Sequence, residues 1–283
     1  MRNAPLRRSV LALPLAFAAL MFAAPNAVAA TAAESGAEPA ASNPRGFTAK
    51  DLVMLDRVSA PQFSPDGDRI LYALRQTNWE ADRGVGSLWV TDAGGGAGTR
   101  LTPAELPASS GAWSPDGEFV YFLSAKSGSM QVWRVPSDGG DATQVTAYPL
   151  DVGSFRLNPA GDAIAVSFEV FPDCATLACT AERHAANAAD KRTGMLFDRV
   201  FVRHWDTWKD GTRSQVFIAP LGADGKTTGE PRLLSKGIDG DVPGKPFGDQ
   251  SDYVFSPDGK SLVFSVRIAG RSEPWSTNFD LFE

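Results

Sequence analysis

The tetrapeptide Ser-Pro-Asp-Gly occurs three times in the chain, at residues 64–67, 114–117 and 256–259. Proline pre-sets φ for the first central position of a β-turn, and glycine accepts the positive φ with which such a turn ends. An aromatic residue precedes each copy, and an apolar run rich in β-branched and aromatic residues follows it. Such runs on both sides of a turn predict strands, so each tetrapeptide predicts the corner of a β-hairpin.

The spacing of these corners predicts the repeating unit. A fourth, weaker copy, Leu-Asn-Pro-Ala-Gly, lies at residues 157–161 and has Asn158 where the others have serine. The markers Ser64, Ser114, Asn158 and Ser256 are 50, 44 and 98 residues apart. Repeats of roughly 40–50 residues that contain four short strands are typical of β-propeller blades. The sequence therefore predicts an all-β chain.

The long third interval predicts an insertion within one blade. From the turn glycine to the aromatic residue of the third strand there are 22 residues in the first unit, 16 in the second and 56 in the third, where Gly161 is followed by Phe217. The excess lies between the second and third strands, at about residues 171–213. The fourth unit reaches only its third strand at Glu283. We therefore expect residues 47–283 to form the N-terminal part of an incomplete β-propeller of about three and a half antiparallel four-stranded blades, with a long insertion in the third.

The first 46 residues differ in composition from the rest. Three arginines, at positions 2, 7 and 8, precede an apolar stretch at residues 10–24. Ala-Val-Ala at residues 27–29 fits a signal-peptidase cleavage site. Residues 1–30 therefore predict a signal peptide, and the alanine, proline and small polar residues at 31–46 predict a flexible linker. The expected location is the periplasm or the medium. Because the apolar stretch is short for a bilayer span, no stable membrane insertion is expected after cleavage.

Charge and motif content argue against several kinds of partner. The formal net charge is −6 and no long basic run occurs, which argues against nucleic acid. The glycine-rich residues 94–98 lack the Lys-Ser/Thr ending of a phosphate loop and predict a hairpin loop. Asp239, Asp241, Asp249 and Asp252 do not have the spacing of a calcium loop, and we interpret them as a solvated acidic loop. No metal site and no cofactor are predicted.

Cys174 and Cys179 are the two cysteines of the chain. They lack the further ligands that a zinc site needs. In an oxidising compartment paired thiols form disulfides, and four intervening residues let the two Cα atoms come within the required distance of about 5.5 Å. We predict a disulfide between them. A buried pair of free thiols is the alternative.

The predicted signal peptide, the Ser-Pro-Asp-Gly blades and the insertion sequence FDRVFVRHWDTWKDGTRSQVFIAPL, residues 197–221, together resemble the N-terminal propeller of prolyl oligopeptidase-like serine peptidases. The acylaminoacyl-peptidase and dipeptidyl-peptidase branch is the most similar. The resemblance implies a propeller that caps an α/β-hydrolase domain and controls the access of peptide substrates. It also implies the release of dipeptides or (acyl)amino acids from peptide N-termini.

The catalytic triad of that family lies beyond the propeller. A hydrolase domain presents its serine on a G-x-S-x-G turn, and no such motif occurs in this chain. We therefore assign no catalytic residue here and expect the hydrolase domain to be absent from these 283 residues. The alternative function is that of a non-enzymatic, periplasmic TolB-like propeller that binds proteins or envelope components.

The segment Arg203-His204-Trp205-Asp206, followed by Trp208, has two interpretations. In the structural one, the tryptophans pack on the propeller while the arginine and the aspartate form an ion pair. In the functional one, the segment lies on the surface that faces the hydrolase domain, where it shapes substrate access or binds a peptide terminus.

Two carboxylates near this segment are further candidate site residues. Glu169 and Glu182 are the nearest acidic side chains that could hold the α-amino group of a substrate. A carboxylate suits this role because it accepts charge-assisted hydrogen bonds from an ammonium group.

Overall fold

Four antiparallel blade sheets follow one another in the computed structural model, which describes residues 45–197, 200 and 202–283. The predicted signal peptide and nearly all of the predicted linker lie outside the described residues. From Phe47 onward the described chain forms one unit. It begins with α1 (Ala49–Met54), whose first turn is capped because the Thr48 side chain accepts from the Asp51 amide while the Asp51 carboxylate accepts from the Thr48 amide.

Within each blade the strands follow chain order, and in the third blade the insertion separates the second strand from the third. The first blade contains β1 (Arg57–Phe63), β2 (Arg69–Asn78), β3 (Arg83–Asp92) and β4 (Thr99–Arg100), and the second contains β5 (Ser109–Trp113), β6 (Phe119–Ser124), β7 (Gln131–Pro136) and β8 (Thr143–Gln144). The third blade contains β9 (Phe155–Leu157), β10 (Ala163–Val170), β13 (Arg213–Pro220) and β14 (Arg232–Leu233). The insertion lies between β10 and β13. It contains α2 (Leu177–Ala189) and a hairpin of β11 (Arg203–His204) and β12 (Thr207–Trp208). The fourth contains β15 (Tyr253–Phe255), β16 (Leu262–Val266) and β17 (Asp280–Phe282).

This arrangement confirms the predicted propeller. Three sheets have four strands and the fourth has three, and the insertion leaves the third blade between β10 and β13. The glycine-rich residues 94–98 connect β3 to β4, as predicted for a hairpin loop.

The Ser-Pro-Asp-Gly copies form the predicted hairpin corners. In the first, the amide of Gly67 donates to the carbonyl of Ser64 at 2.9 Å, and the glycine has φ of +82°. The hydroxyl of Ser64 accepts a hydrogen bond from the amide of Arg69 at 2.9 Å, so the serine side chain links the two strands where they leave the turn. The same bonds occur at Ser114 and Ser256, which explains why the tetrapeptide recurs.

Consecutive turns lie against one another. A Cβ added to Gly117 would lie 3.5 Å from Cδ of Pro65 in the preceding turn, and one added to Gly161 would lie 3.9 Å from Cδ of Pro115. Both distances are ordinary van der Waals contacts. In the first three blades, the proline of one turn therefore lies next to the glycine of the following turn.

The apolar core lies between neighbouring blades. Leu71 and Leu88 of the first blade belong to one cluster with Val120 and Phe122 of the second. Two further clusters join the second blade to the third and the third to the fourth. Since each blade buries its apolar face against the next, stability in such a repeat fold comes mainly from nearest-neighbour contacts.

A buried polar chain also joins the last two blades. The hydroxyl of Tyr253 lies 2.9 Å from Oγ of Ser154, which lies 2.8 Å from Oγ of Ser167. Burial raises the pKa of Tyr253, so the phenol stays protonated and can donate within this chain.

Candidate functional site

The insertion begins with a disulfide that fixes the start of α2. Cys174 and Cys179 are bonded, with their Cα atoms 5.6 Å apart, as the sequence predicts. The side chain of Thr176 caps the helix by accepting from the amide of Cys179 at 3.2 Å. Further along the helix, the ring of His184 packs 5.1 Å from the ring of Phe171.

A cleft of about 510 Å³ lies between the insertion and the loop that follows β14. This volume is within the range of roughly 300–1,000 Å³ that is typical of small-ligand pockets. Charged, aromatic and proline side chains line it. The lining residues are Glu169, His184, His204, Thr207, Trp208, Lys209, Asp210, Thr212, Ser214, Pro243, Gly244, Lys245, Pro246 and Gly248.

The candidate residues 203–208 form a hairpin beside this cleft. Arg203 pairs with Trp208 and His204 with Thr207 across β11 and β12, and Trp205 and Asp206 form the turn. His204 and Trp208 line the cleft.

The two tryptophans of the hairpin are largely exposed. Trp205 and Trp208 are 72% and 52% exposed, so neither packs in the propeller core. Among the described residues, the expected ion pair between Arg203 and Asp206 does not form. The guanidinium of Arg203 lies instead 5.5 Å from the centre of the Trp208 ring, and that ring stacks on Phe197 at 5.7 Å.

The two candidate carboxylates lie in different surroundings. Glu169, near the end of β10, lines the cleft, remains 49% exposed and forms an ion pair with Lys245 from the opposite wall. Its carboxylate also accepts from the hydroxyl of Thr212 at 3.3 Å. Glu182 is exposed on α2 and does not line the cleft. Of the two, only Glu169 is placed to meet a ligand there.

An ion cluster behind the cleft joins the insertion to the fourth blade. Nη1 of Arg213, at the first position of β13, lies 3.0 Å from both Oδ2 of Asp241 and Oε1 of Glu273. Nζ of Lys209 lies 2.9 Å from Oε1 of Glu273 and 3.4 Å from Oδ2 of Asp241. Arg267 approaches the same glutamate oxygen at 3.7 Å. The cluster therefore fixes the wall that carries Lys209 and the adjoining residues.

The electrostatics of the cluster favour its charged form. Burial alone would raise the pKa of Glu273, but hydrogen bonds from Arg213 and Lys209 outweigh it and lower the pKa to about 2. Burial likewise disfavours the charged form of Arg213, yet Glu273 and Asp241 raise its pKa overall. For His204, burial and then the charges of Arg267 and Lys209 lower the pKa, so its imidazole is neutral at pH 7.

The interpretation of the acidic residues 239–252 as a solvated loop is wrong for Asp241. Its side chain is only 4% exposed, and besides the ion pairs its Oδ1 accepts from the amide of Ser214 at 2.9 Å. Asp249 and Asp252 also accept from backbone amides, those of Ser251 and Gly244. The partner of Asp241 is distant in sequence, whereas those of Asp249 and Asp252 are near. The spacing of the acidic residues alone does not reveal which of them is buried against a distant partner.

The residues around the cleft can bind and orient a ligand that has both charged and apolar groups. Glu169 offers a half-exposed carboxylate, Lys245 an ammonium group, and Trp208 an aromatic wall. The carboxylate of Asp210 is also ionised: burial opposes this, but hydrogen bonds from Thr212 outweigh it and lower the pKa of Asp210.

The comparisons with known proteins agree with this fold. Residues 53–171 match the family model described as the TolB beta propeller domain, PD40. The chain is 26% identical over 238 residues to dipeptidyl-peptidase 5 of Porphyromonas endodontalis, an alignment that covers 83% of this chain and 33% of that protein. The chain is similar in sequence to the N-terminal propeller portion of prolyl oligopeptidase-like peptidases.

Other peptidases are also similar to the chain. The uncharacterized peptidase YuxL of Bacillus subtilis is 28% identical over 224 residues, which are 78% of this chain and 31% of that protein. A solved acylaminoacyl peptidase, in complex with Z-Gly-Gly-Phe-chloromethyl ketone, superposes with a TM-score of 0.53 at 14% identity, over 77% of this chain and 29% of the other, and so supports the propeller fold. The chain spans about a third of the length of the curated relatives it matches. In the part of the chain that the structure describes, neither α-helix is long and apolar enough to cross a bilayer.

Proposed function

We propose that this chain is the propeller segment of an exported serine peptidase that releases dipeptides or (acyl)amino acids from peptide N-termini. The propeller controls which substrates reach a hydrolase domain that follows it in the complete protein. The observation that carries the proposal is the similarity to dipeptidyl-peptidase 5, which extends over 83% of this chain and about a third of that protein.

The cleft beside the insertion is the proposed point of contact with substrate. Glu169 is half exposed there, and its partner Lys245 belongs to a loop on the opposite wall. An α-ammonium group that enters the cleft can replace Lys245 on the carboxylate, because both are donors of charge-assisted hydrogen bonds. The hairpin that contains Arg203, Trp205 and Asp206 borders the same cleft and shapes the access to it.

The test uses the protein made from the complete reading frame. We expect it to hydrolyse dipeptidyl or acylaminoacyl reporter amides and to lose this activity with a serine-directed phosphonate. Glu169→Gln should raise KM for substrates with a free N-terminus and leave KM for N-acylated substrates unchanged, because only the former carry an ammonium group. Glu182→Gln, on the exposed face of α2, is the matched control.

Two results would contradict the proposal. One is the absence of any phosphonate-sensitive hydrolysis by the complete protein. The other concerns export: if the mature N-terminus of the protein recovered from cells still includes residues 1–30, the predicted signal peptide is wrong.

A second candidate function is a TolB-like propeller that binds proteins or envelope components without catalysis. The observation in its favour is the family model, whose description is that of a TolB propeller. A complete reading frame without a G-x-S-x-G motif, together with co-purification of envelope proteins, would favour this candidate over the peptidase.

A further inference from the structure

We propose that Trp205 and Phe247 form a binding site for a large apolar side chain of a peptide whose backbone occupies the cleft. The inference rests on the proposed function for the identity of the ligand as a peptide. It goes beyond the proposed function because it names the kind of side chain that the site prefers and the two residues that set this preference.

The two rings contact each other, one from the turn of the hairpin and the other from the loop that follows β14. Their centroids are 6.2 Å apart at an interplanar angle of 63°, an edge-to-face contact. They are nevertheless 72% and 78% exposed. Trp205 directly follows the lining residue His204, and Phe247 stands between the lining residues Pro246 and Gly248. Both rings therefore belong to residues that directly adjoin the lining of the cleft.

The backbone of Trp205 has a conformation that a tryptophan adopts only with strain. It has φ of +54° at the first central position of a two-residue hairpin turn. Such turns normally have glycine, asparagine or aspartate where φ is positive, because a bulky side chain is strained in this conformation. A strained residue at a surface position points to a function that the turn itself does not require. Glycine would form this turn more readily.

The groups inside the cleft specify the occupant. Glu169 and Lys245 lie within it, so a bound molecule must bring charged or polar groups to these positions as well as an apolar group to the two rings. A purely apolar partner surface would bury the Glu169–Lys245 ion pair, and the cost of taking its two charges out of water can exceed their mutual attraction. A short peptide with a free N-terminus supplies an ammonium group, backbone donors and acceptors, and one apolar side chain.

The experiment compares peptides that differ in one side chain. The probes are the amide of tetra-alanine and three analogues with phenylalanine at the first, second or third position. For the protein made from the complete reading frame, we expect at least one analogue to have a kcat/KM roughly tenfold above that of tetra-alanine, as expected for partial burial of one aromatic ring. Trp205→Gly and Phe247→Ala should each reduce this ratio to near one. The ratio does not depend on the fraction of protein that is folded.

The variants are chosen so that a reduced preference for phenylalanine cannot result from misfolding of the protein. Trp205→Gly removes the ring and leaves a residue that suits a φ of +54°. Trp79→Ala, an exposed tryptophan of the first blade that is 47% exposed, is the matched control and should leave the ratio unchanged.

The inference and the proposed function fail in different ways. If the protein does not cleave the peptides, their dissociation constants are measured instead, and a preference for phenylalanine that depends on Trp205 and Phe247 supports the inference without the peptidase. An unchanged preference in both variants, or no binding and no cleavage of any probe, overturns the inference. It is equally overturned if the two variants only convert a dimer into a monomer in sedimentation experiments, since the rings would then contact a second copy of the chain.

Discussion

The side-chain amide of Asn158 donates a hydrogen bond to the carbonyl oxygen of Gly259, 3.0 Å away, and so joins the turn of the third blade to that of the fourth. Its Oδ1 accepts from the amide of Ala160 at 2.9 Å, so the asparagine also holds its own turn together. The one turn that departs from Ser-Pro-Asp-Gly thus gains a contact between blades. The two turns that this hydrogen bond joins are far apart in sequence because the insertion lies between them.

Replacing this asparagine by the serine of the other turns should weaken the joint between the last two blades. Asn158→Ser can keep the local turn but cannot reach Gly259, so we expect the free energy of unfolding to fall by about 1 kcal/mol. Urea denaturation followed by tryptophan fluorescence measures this. An Asn158→Ser variant as stable as the original chain would show that the bond to Gly259 contributes nothing.

The ion cluster predicts a specific response to acid. The folded-state pKa of Glu273, about 2, lies below its ordinary value of 4.5, so its ionised form stabilises the fold. This contribution is fully present above pH 4.5 and is lost as the pH falls through 2. Glu273→Gln should remove one of the two largely buried carboxylates that Arg213 and Lys209 share, leaving Asp241, and cost about 3 kcal/mol at pH 7, the equivalent of the pKa shift of Glu273. It should also flatten the dependence of stability on pH between 4.5 and 2.

The control for this experiment is Glu80→Gln, an exposed glutamate of the first blade. It should change neither the stability nor its pH dependence. If Glu273→Gln and Glu80→Gln behave alike in thermal unfolding from pH 2 to 7, the cluster does not stabilise the fold as described.

The disulfide should limit the motion of α2. For the ring of about six residues between Cys174 and Cys179, the loop-entropy estimate is roughly 2 kcal/mol. We expect a Cys174→Ser, Cys179→Ser double variant to exchange the amide protons of α2 faster than the oxidised protein. Protection of β6 and β7, which lie in another blade, should be unchanged. Mass spectrometry of the protein recovered from cells should find no alkylatable thiol before reduction, and two free thiols at that stage would contradict the prediction.

The 283-residue chain by itself should not hydrolyse peptides. It contains no G-x-S-x-G motif, and a serine in another setting lacks the strained turn that presents a nucleophile. Incubation with aminoacyl and dipeptidyl reporter amides should give no turnover above background. Turnover that a serine-directed phosphonate abolishes would prove this wrong.

The parts of the structure that follow from local chemistry are those that the sequence predicts. The turn at Ser64 depends on bonds within six residues, and the disulfide joins two cysteines five positions apart. Counting from the turn glycines also locates the insertion, because the pairing of strands in a blade tolerates little variation in length.

The parts that depend on distant partners are not predictable in this way. Arg213 and Glu273 are 60 residues apart, and neither has a distinctive neighbourhood in the sequence. Asp241 appears as one of several acidic residues in a polar loop until the fold buries it against Arg213. The turn at Trp205 has none of the usual turn residues at its strained position, so the hairpin of β11 and β12 has no clear sequence signal.

The two ends of the insertion are held next to each other by the blade that it interrupts. Val170, the last residue of β10, pairs directly with Arg213, the first residue of β13, in an unbroken antiparallel register. A short turn could therefore replace residues 171–212 without disturbing this register, as short turns connect the corresponding strands in the other blades. An insertion from a related propeller, grafted at these two residues, would bring its own side chains to the cleft while the strand pairing of the third blade stays the same. Exchanging the insertion is the most direct route to a propeller of this kind with a different ligand preference.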